Sequence, residues 1–147
     1  MRKRTADQVT ASILDGIASV LPALLRAIKL QRRAAAVGFD WAEIGAVLDA
    51  VKGELDEVRA ALGAGDATHI AEEVGDLLFA CVNLARFARV DPESALRSAN
   101  QKFERRFRYI EERIQAQGHS VNDATLAEMD ALWEEAKRDL PKKKRAP

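Results

Sequence analysis

Apolar residues recur at helical spacing along most of this chain, and no segment sustains the two-residue alternation of a strand. Pro22 suits a first helical turn and opens a helix carrying Leu24, Leu25, Ile28 and Leu30 to about Val37, with Gly38 as its stop. Asp40 is placed to cap a second helix with the stripe Ile44, Val47, Leu48, Val51, Leu55, Val58 and Leu62, which GAGD at 63–66 breaks. A third helix, about 67–88, holds the most apolar run, VGDLLFACVNLA at 74–85. Asp91-Pro92 starts a fourth helix that runs to about Gln117 and stops at Gly118. Thr125-x-x-Glu128 has capping-box spacing and opens a last helix that Pro141 limits. The pattern predicts an all-α domain of about five helices over 21–140. An N-terminal segment (1–20) precedes it and a basic, disordered tail (141–147) follows.

Four acids interrupt this apolar pattern as two helix-spaced pairs, Glu54/Glu57 and Glu73/Asp76. At roughly 100° per residue, Glu54 lies about 60° and Glu57 about 120° from a stripe centred near Val51 and Leu55. Glu73 and Asp76 share a flank of the third helix, and Asn83 lies two turns beyond Asp76 on nearly the same line. Antiparallel packing across the GAGD turn lets both acidic flanks face one cleft. Glu54 and Glu57 alone read as solvated helix acids. Asp76, inside the apolar run, is expected among core side chains, where an unpaired carboxylate loses hydration or neutralises. Taken together, the pairs suit a hard divalent cation, Mg²⁺ or Mn²⁺, and so chemistry on a phosphate-bearing substrate.

Composition narrows the class. With 147 residues, 48% apolar and 31% charged, the chain has the make-up of one ordinary globular domain. Lys plus Arg equals Asp plus Glu at 23 each, so no global field recruits nucleic acid or a membrane surface. No apolar run approaches the roughly 20 residues that span a bilayer. Cys81, the single cysteine, reads as a small core residue and favours a reducing, cytoplasmic setting.

The fourth helix carries NQKFERRF at 100–107, with Lys102 and Arg106 on one face beside the ridge of Phe103 and Phe107. That face reads either as a partner for polyphosphate or as a surface laced with salt bridges to Glu104, Glu111 and Glu112. Trp133 reads either as a core anchor or as a platform for stacking a base. Trp41, beside Phe39, is expected to pack the start of the second helix. His69 and His119 lie near helix ends without partners at metal-ligand spacing.

In this order, LPALLRAIKLQ, the VGFDW turn, ELDEV, EEVGDLLFACVNLAR, ANQKFERRF and ALWEEAK resemble the MazG family of nucleoside triphosphate pyrophosphohydrolases. The likeness runs from about Leu21 to Lys137 and is most specific in the middle block. It resembles the C-terminal repeat of two-repeat members, present here once. It implies a MazG-like bundle of the all-α NTP pyrophosphatase superfamily that splits a (deoxy)nucleoside triphosphate into monophosphate and pyrophosphate, in nucleotide-pool cleaning. Family metal ligands fall on Glu54, Glu57, Glu73 and Asp76. Nucleotide contacts fall on Lys102, Arg106 and Trp133, and Asn83 joins them as a candidate from its place on the third helix. Glu72 is the candidate for orienting the water. The resemblance also implies a homodimer that can pair again into a dimer of dimers, with sites built at subunit interfaces.

One departure stands out. The family's first acidic motif reads Glu-Glu-x-x-Glu, whereas this chain has Gly53-Glu54-Leu55-Asp56-Glu57. The identity of the general base is therefore open. Two alternatives also stay open: a base-selective sister enzyme (dUTP or dCTP pyrophosphatase, or phosphoribosyl-ATP pyrophosphatase), and a helical dimer that binds nucleotide or metal without turnover.

Overall fold

The computed structural model describes residues 11–142. The basic N-terminus and most of the basic tail lie outside them. Five α-helices and one 3₁₀ turn make up the regular structure of the described residues, with no strand, as the apolar period predicts. The helices are α1 (Ala23–Ala36), α2 (Ile44–Ala64), α3 (Ala67–Phe87), α4 (Pro92–Ala116) and α5 (Leu126–Asp139). The chain divides into two compact units between Glu93 and Ser94.

In the first unit α3 packs along α2 and also against α1. Gly38 and Gly65 end α1 and α2 with φ of +91° and +74°, the left-handed conformation that a side chain disfavours. Only Gly65 and Asp66 separate α2 from α3, so the two 21-residue helices must fold back as a hairpin. Asp66 caps α3, its Oδ1 accepting from the Thr68 and His69 N–H groups at 2.9 and 3.3 Å.

Three expectations need correction. Asp40 does not cap α2, which begins at Ile44 after Glu43 without a side-chain cap. Its carboxylate is taken by Arg86, at 2.6 and 2.9 Å from the two oxygens, and a charge-assisted fork outcompetes a cap. Second, the covered stripe of α2 is Val47, Ala50, Val51, Glu54, Val58 and Ala61, so it includes Glu54 and leaves out Leu55. Leu48, Leu55 and Leu62, seven residues apart, are 45%, 42% and 59% exposed.

Third, the apolar run of α3 is only partly covered. Ala80 and Val82 are buried, whereas Val74, Leu78, Phe79, Cys81 and Asp76 are exposed. Neither Cys81 nor Asp76 is a core residue within this chain. A helix apolar around most of its circumference has more such surface than α1 and α2 cover.

In the second unit Ile110 and Ile114 of α4 and Ala136 of α5 are buried. The capping box forms: Thr125 Oγ1 accepts from the Glu128 N–H at 3.2 Å, and Glu128 Oε2 accepts from the Thr125 N–H at 2.8 Å. Arg113 joins α4 to α5 through Glu135 at 3.0 Å. The 3₁₀ turn, Val121–Asp123, was not foreseen; the Ser120 hydroxyl holds it by accepting from the Asn122 N–H.

Candidate metal and nucleotide site

Glu54 belongs to the face of α2 that the sequence stripe misplaced, and this brings it opposite α3. Glu73 and Asp76 lie one turn apart there, and each of the three acids offers an oxygen within 4.8 Å of the others. Burial first, then the charges of Asp76, Glu73 and Glu57, push the Glu54 carboxyl above the usual carboxylate range. Like charges that make the Glu54 carboxyl costly to ionise are what a hard cation relieves, and an all-carboxylate oxygen set fits one.

Glu57 is exposed and outside this trio, although its charge reaches Glu54. Glu72 is also exposed and outside it, with Oε2 3.9 Å from His69 Nδ1. His69 stands closer to the trio, its Nδ1 3.5 Å from Glu73 Oε1. Sequence reasoning set His69 aside for want of another metal-ligating partner. The overlooked signal was its four-residue spacing from Glu73, which stacks the two on one helix face.

Beside the acids lies a cavity whose lining includes Glu54, Asp76, Asn83, Phe39, Trp41 and Phe79. The last four also line a neighbouring cavity of about 480 Å³ that extends to Gln31, Asp40 and Arg86. Trp41 thus lines both cavities and is 46% exposed, whereas packing at the start of α2 was expected of it. Asn83 Oδ1 accepts from Arg86 at 2.8 Å, which fixes the orientation of its amide. Gln31, only 5% exposed, donates from Nε2 to the Phe79 carbonyl at 3.0 Å. Its Oε1 is buried and without a hydrogen-bond partner, as is Arg86 Nε. Neither Gln31 nor Arg86 was singled out from sequence; a glutamine one turn from Ile28, on the covered face of α1, was the available sign.

Residues 43–110 match the MazG nucleotide pyrophosphohydrolase domain. The chain is 47% identical over 135 residues to the nucleoside triphosphate pyrophosphohydrolase of Escherichia coli (strain K12), covering 90% of this chain and 51% of that protein. It is 42% identical over 127 residues to the nucleoside triphosphate pyrophosphohydrolase/pyrophosphatase MazG of Thermotoga maritima, covering 86% of this chain and 49% of that protein. The chain therefore spans about half the length of these curated relatives.

The matched MazG segment contains the acidic trio, Glu57, Glu72, Asn83, Lys102 and Arg106, whereas Gln31, Trp41 and Trp133 lie outside it. In the second unit, Lys102 and Arg106 line a groove of about 310 Å³ together with Arg105, Lys137 and Lys142. The Arg106 guanidinium lies 5.3 Å from the Trp133 ring centre, and Phe103 meets the same ring at 5.5 Å and 49°. Trp133 is thus partly covered by its own unit while Lys102 and Arg106 line a cationic surface.

Proposed function

We propose that this chain hydrolyses a nucleoside triphosphate, ribo or deoxy, to the monophosphate and pyrophosphate. The observation that carries the reading is the convergence of Glu54, Glu73 and Asp76 within a MazG domain, beside a cavity large enough for a nucleoside. The trio would hold Mg²⁺, with Mn²⁺ as a substitute and Glu57 as a fourth ligand. Bound there, the cation supplies charge neutralisation at phosphate oxygens and a lowered pKa for a coordinated water.

The protein's own groups have distinct parts in this reading. His69 orients Glu73, and Asn83 presents an amide to the nucleotide between the acids and the aromatic cavity. Glu72 orients the attacking water. Lys102 and Arg106 offset phosphate charge and Trp133 contacts the nucleotide, as the family resemblance implies. Uncovered Leu48, Leu55 and Leu62 on α2, with Val74 and Leu78 on α3, support a homodimer, which can pair again. Nucleotide-pool cleaning in the cytoplasm is the matching role; no helix among the described residues is long and apolar enough to cross a membrane.

Pyrophosphate release from a panel of triphosphates with Mg²⁺ tests the reading, with Glu54→Gln and Asp76→Asn as controls. Release by the parent and its loss in both variants is expected. No release from any triphosphate, or variants equal to the parent, sinks it.

A further inference from the structure

Helix α1 carries four cations, Arg26, Lys29, Arg32 and Arg33, and no acid. Three of them, Lys29, Arg32 and Arg33, lie within little more than one turn and line a single cavity of about 440 Å³. Gly16, Ile17 and Leu21, from the segment before the helix, line it too, and no carboxylate does. Among the described residues, none of the three cations forms an ion pair. Arg33 is held by backbone carbonyls instead, its Nη1 donating to Ile13 and Asp15 at 2.8 and 3.2 Å. The neighbouring acids are engaged elsewhere. The Asp15 carboxylate accepts from the Ser12 N–H at 2.9 Å, and Asp40 is taken by Arg86. Like charges three and four residues apart on a helix repel, and an anion among them relieves that repulsion.

We propose that this cavity is an anion site that takes a compact oligophosphate, two or more linked phosphoryl groups. It shares no lining residue with the cavity beside the acidic trio. Guanidinium groups bond phosphate oxygens in pairs, and Lys29 adds a point charge beside them. From Lys29 to Arg33 the helix rises about 6 Å, which suits a few linked phosphoryl groups and is too short a track for a nucleic-acid strand. One phosphate monoester group brings about two negative charges, fewer than the three cations; two linked groups come closer. Half-buried Ile17 and Leu21 make part of the lining apolar, and charges beside such surface are screened less than in open water. Because Arg33 also bonds the Ile13 and Asp15 carbonyls, an occupied site braces the preceding segment on α1. The inference needs no turnover and goes beyond the triphosphate reading, in which pyrophosphate is only a released product.

The test is calorimetric titration of the full chain, freed of divalent cations, with sodium pyrophosphate. Without a cation the acidic trio repels this probe, so binding there does not intrude. Pyrophosphate should bind about tenfold or more tighter than inorganic phosphate, and Lys29→Ala/Arg32→Ala should weaken it by about tenfold or more. Lys29→Arg/Arg32→Lys, which keeps the charges, should retain most of the affinity, and Lys102→Ala should leave it unchanged. No binding, equal affinity for phosphate, or a loss in the Lys102 variant instead overturns the inference. Lys29 and Arg32 are exposed, so both double variants should fold, and circular dichroism checks this. Amide NMR of the parent decides without any variant. Pyrophosphate should shift Gly16, Ile17 and the amides around Lys29, whereas shifts confined to the Lys102–Arg106 face overturn the inference. Either result leaves the hydrolase reading to its own test.

Discussion

Arg86 reaches back from the end of α3 to Asp40, before the start of α2, and closes a forked ion pair at 2.6 and 2.9 Å. Its hydrogen bonds are the main reason the Asp40 carboxyl sits below the usual carboxylate range, against the opposing effect of burial. A carboxyl depressed in the folded state contributes stability above its unfolded pKa and loses it as pH falls through the folded one. Melting temperature should therefore fall on acidification below the ordinary carboxylate range, and Asp40→Asn should flatten that part of the profile. At neutral pH the same substitution should cost about 1–3 kcal/mol, since Arg86 keeps a partly buried charge with a weaker partner. A parent and variant with superimposable profiles would remove this pair from the stability of the first unit.

Removing an acid from the trio should act in opposite directions with and without metal. Without metal, Glu54→Gln relieves a carboxyl crowded by Asp76, Glu73 and Glu57 and should leave the protein equally or more stable. With saturating Mg²⁺ the parent should gain about 2.7 kcal/mol at a hundredfold excess over its dissociation constant, and the variant much less. Thermal melts with Mg²⁺ and with chelator read both effects; equal metal gains would exclude Glu54 as a ligand.

Gly53 is exposed, and a side chain begun there meets no atom within 4 Å. Gly53→Glu should therefore be accommodated and stabilise α2 by up to about 1 kcal/mol, reduced by repulsion from Glu57 one turn on. It also restores the acid that the family pattern places at this position. Pyrophosphate release should rise, and an unchanged rate with normal folding would show that the missing acid is dispensable.

Leu55 is 42% exposed on a helix whose covered face lies elsewhere. Leu55→Asp should weaken self-association about 10- to 100-fold, the scale of burying one leucine side chain. Sedimentation at several concentrations measures this. A monomeric parent, or a variant that associates equally well, would exclude this face from a dimer.

Trp133→Ala should raise KM more than it lowers kcat, because contact with the nucleotide is made before and during reaction alike. Lys102→Ala should instead lower kcat/KM chiefly through kcat if its charge matters most as the leaving pyrophosphate forms. An unchanged KM in the tryptophan variant would assign Trp133 to packing against Phe103 and Arg106 alone.

Local signals were the most legible part of the sequence. Gly38, Gly118 and the Thr125–Glu128 box act through their own backbone neighbours, and each behaves as expected. Asp40 misled because its partner lies 46 residues away, beyond any capping rule. The stripe of α2 misled because the helix has two apolar faces. Val47 and Ala61 are covered, Leu48 and Leu62 are not, and averaging them put Glu54 off the line it occupies. The acids were legible as a cluster, but Glu54, Glu73 and Asp76 close together while Glu57 and Glu72 stay outside. Gln31 was hidden because hydrogen-bond satisfaction is a property of neighbours, not of spacing.

The two-residue connection at Gly65 and Asp66 has a consequence for how such a site is assembled. Glu54 lies eleven positions before Gly65 and Asp76 eleven after it, so the arms of the hairpin bring them level. Contacts this local close cheaply and form early in a folding chain. The geometry of the acidic trio is therefore written into one short stretch of the chain. One residue added inside α2 between Glu54 and Gly65 would turn Glu54 by about 100° away from the other two acids while leaving the helix whole.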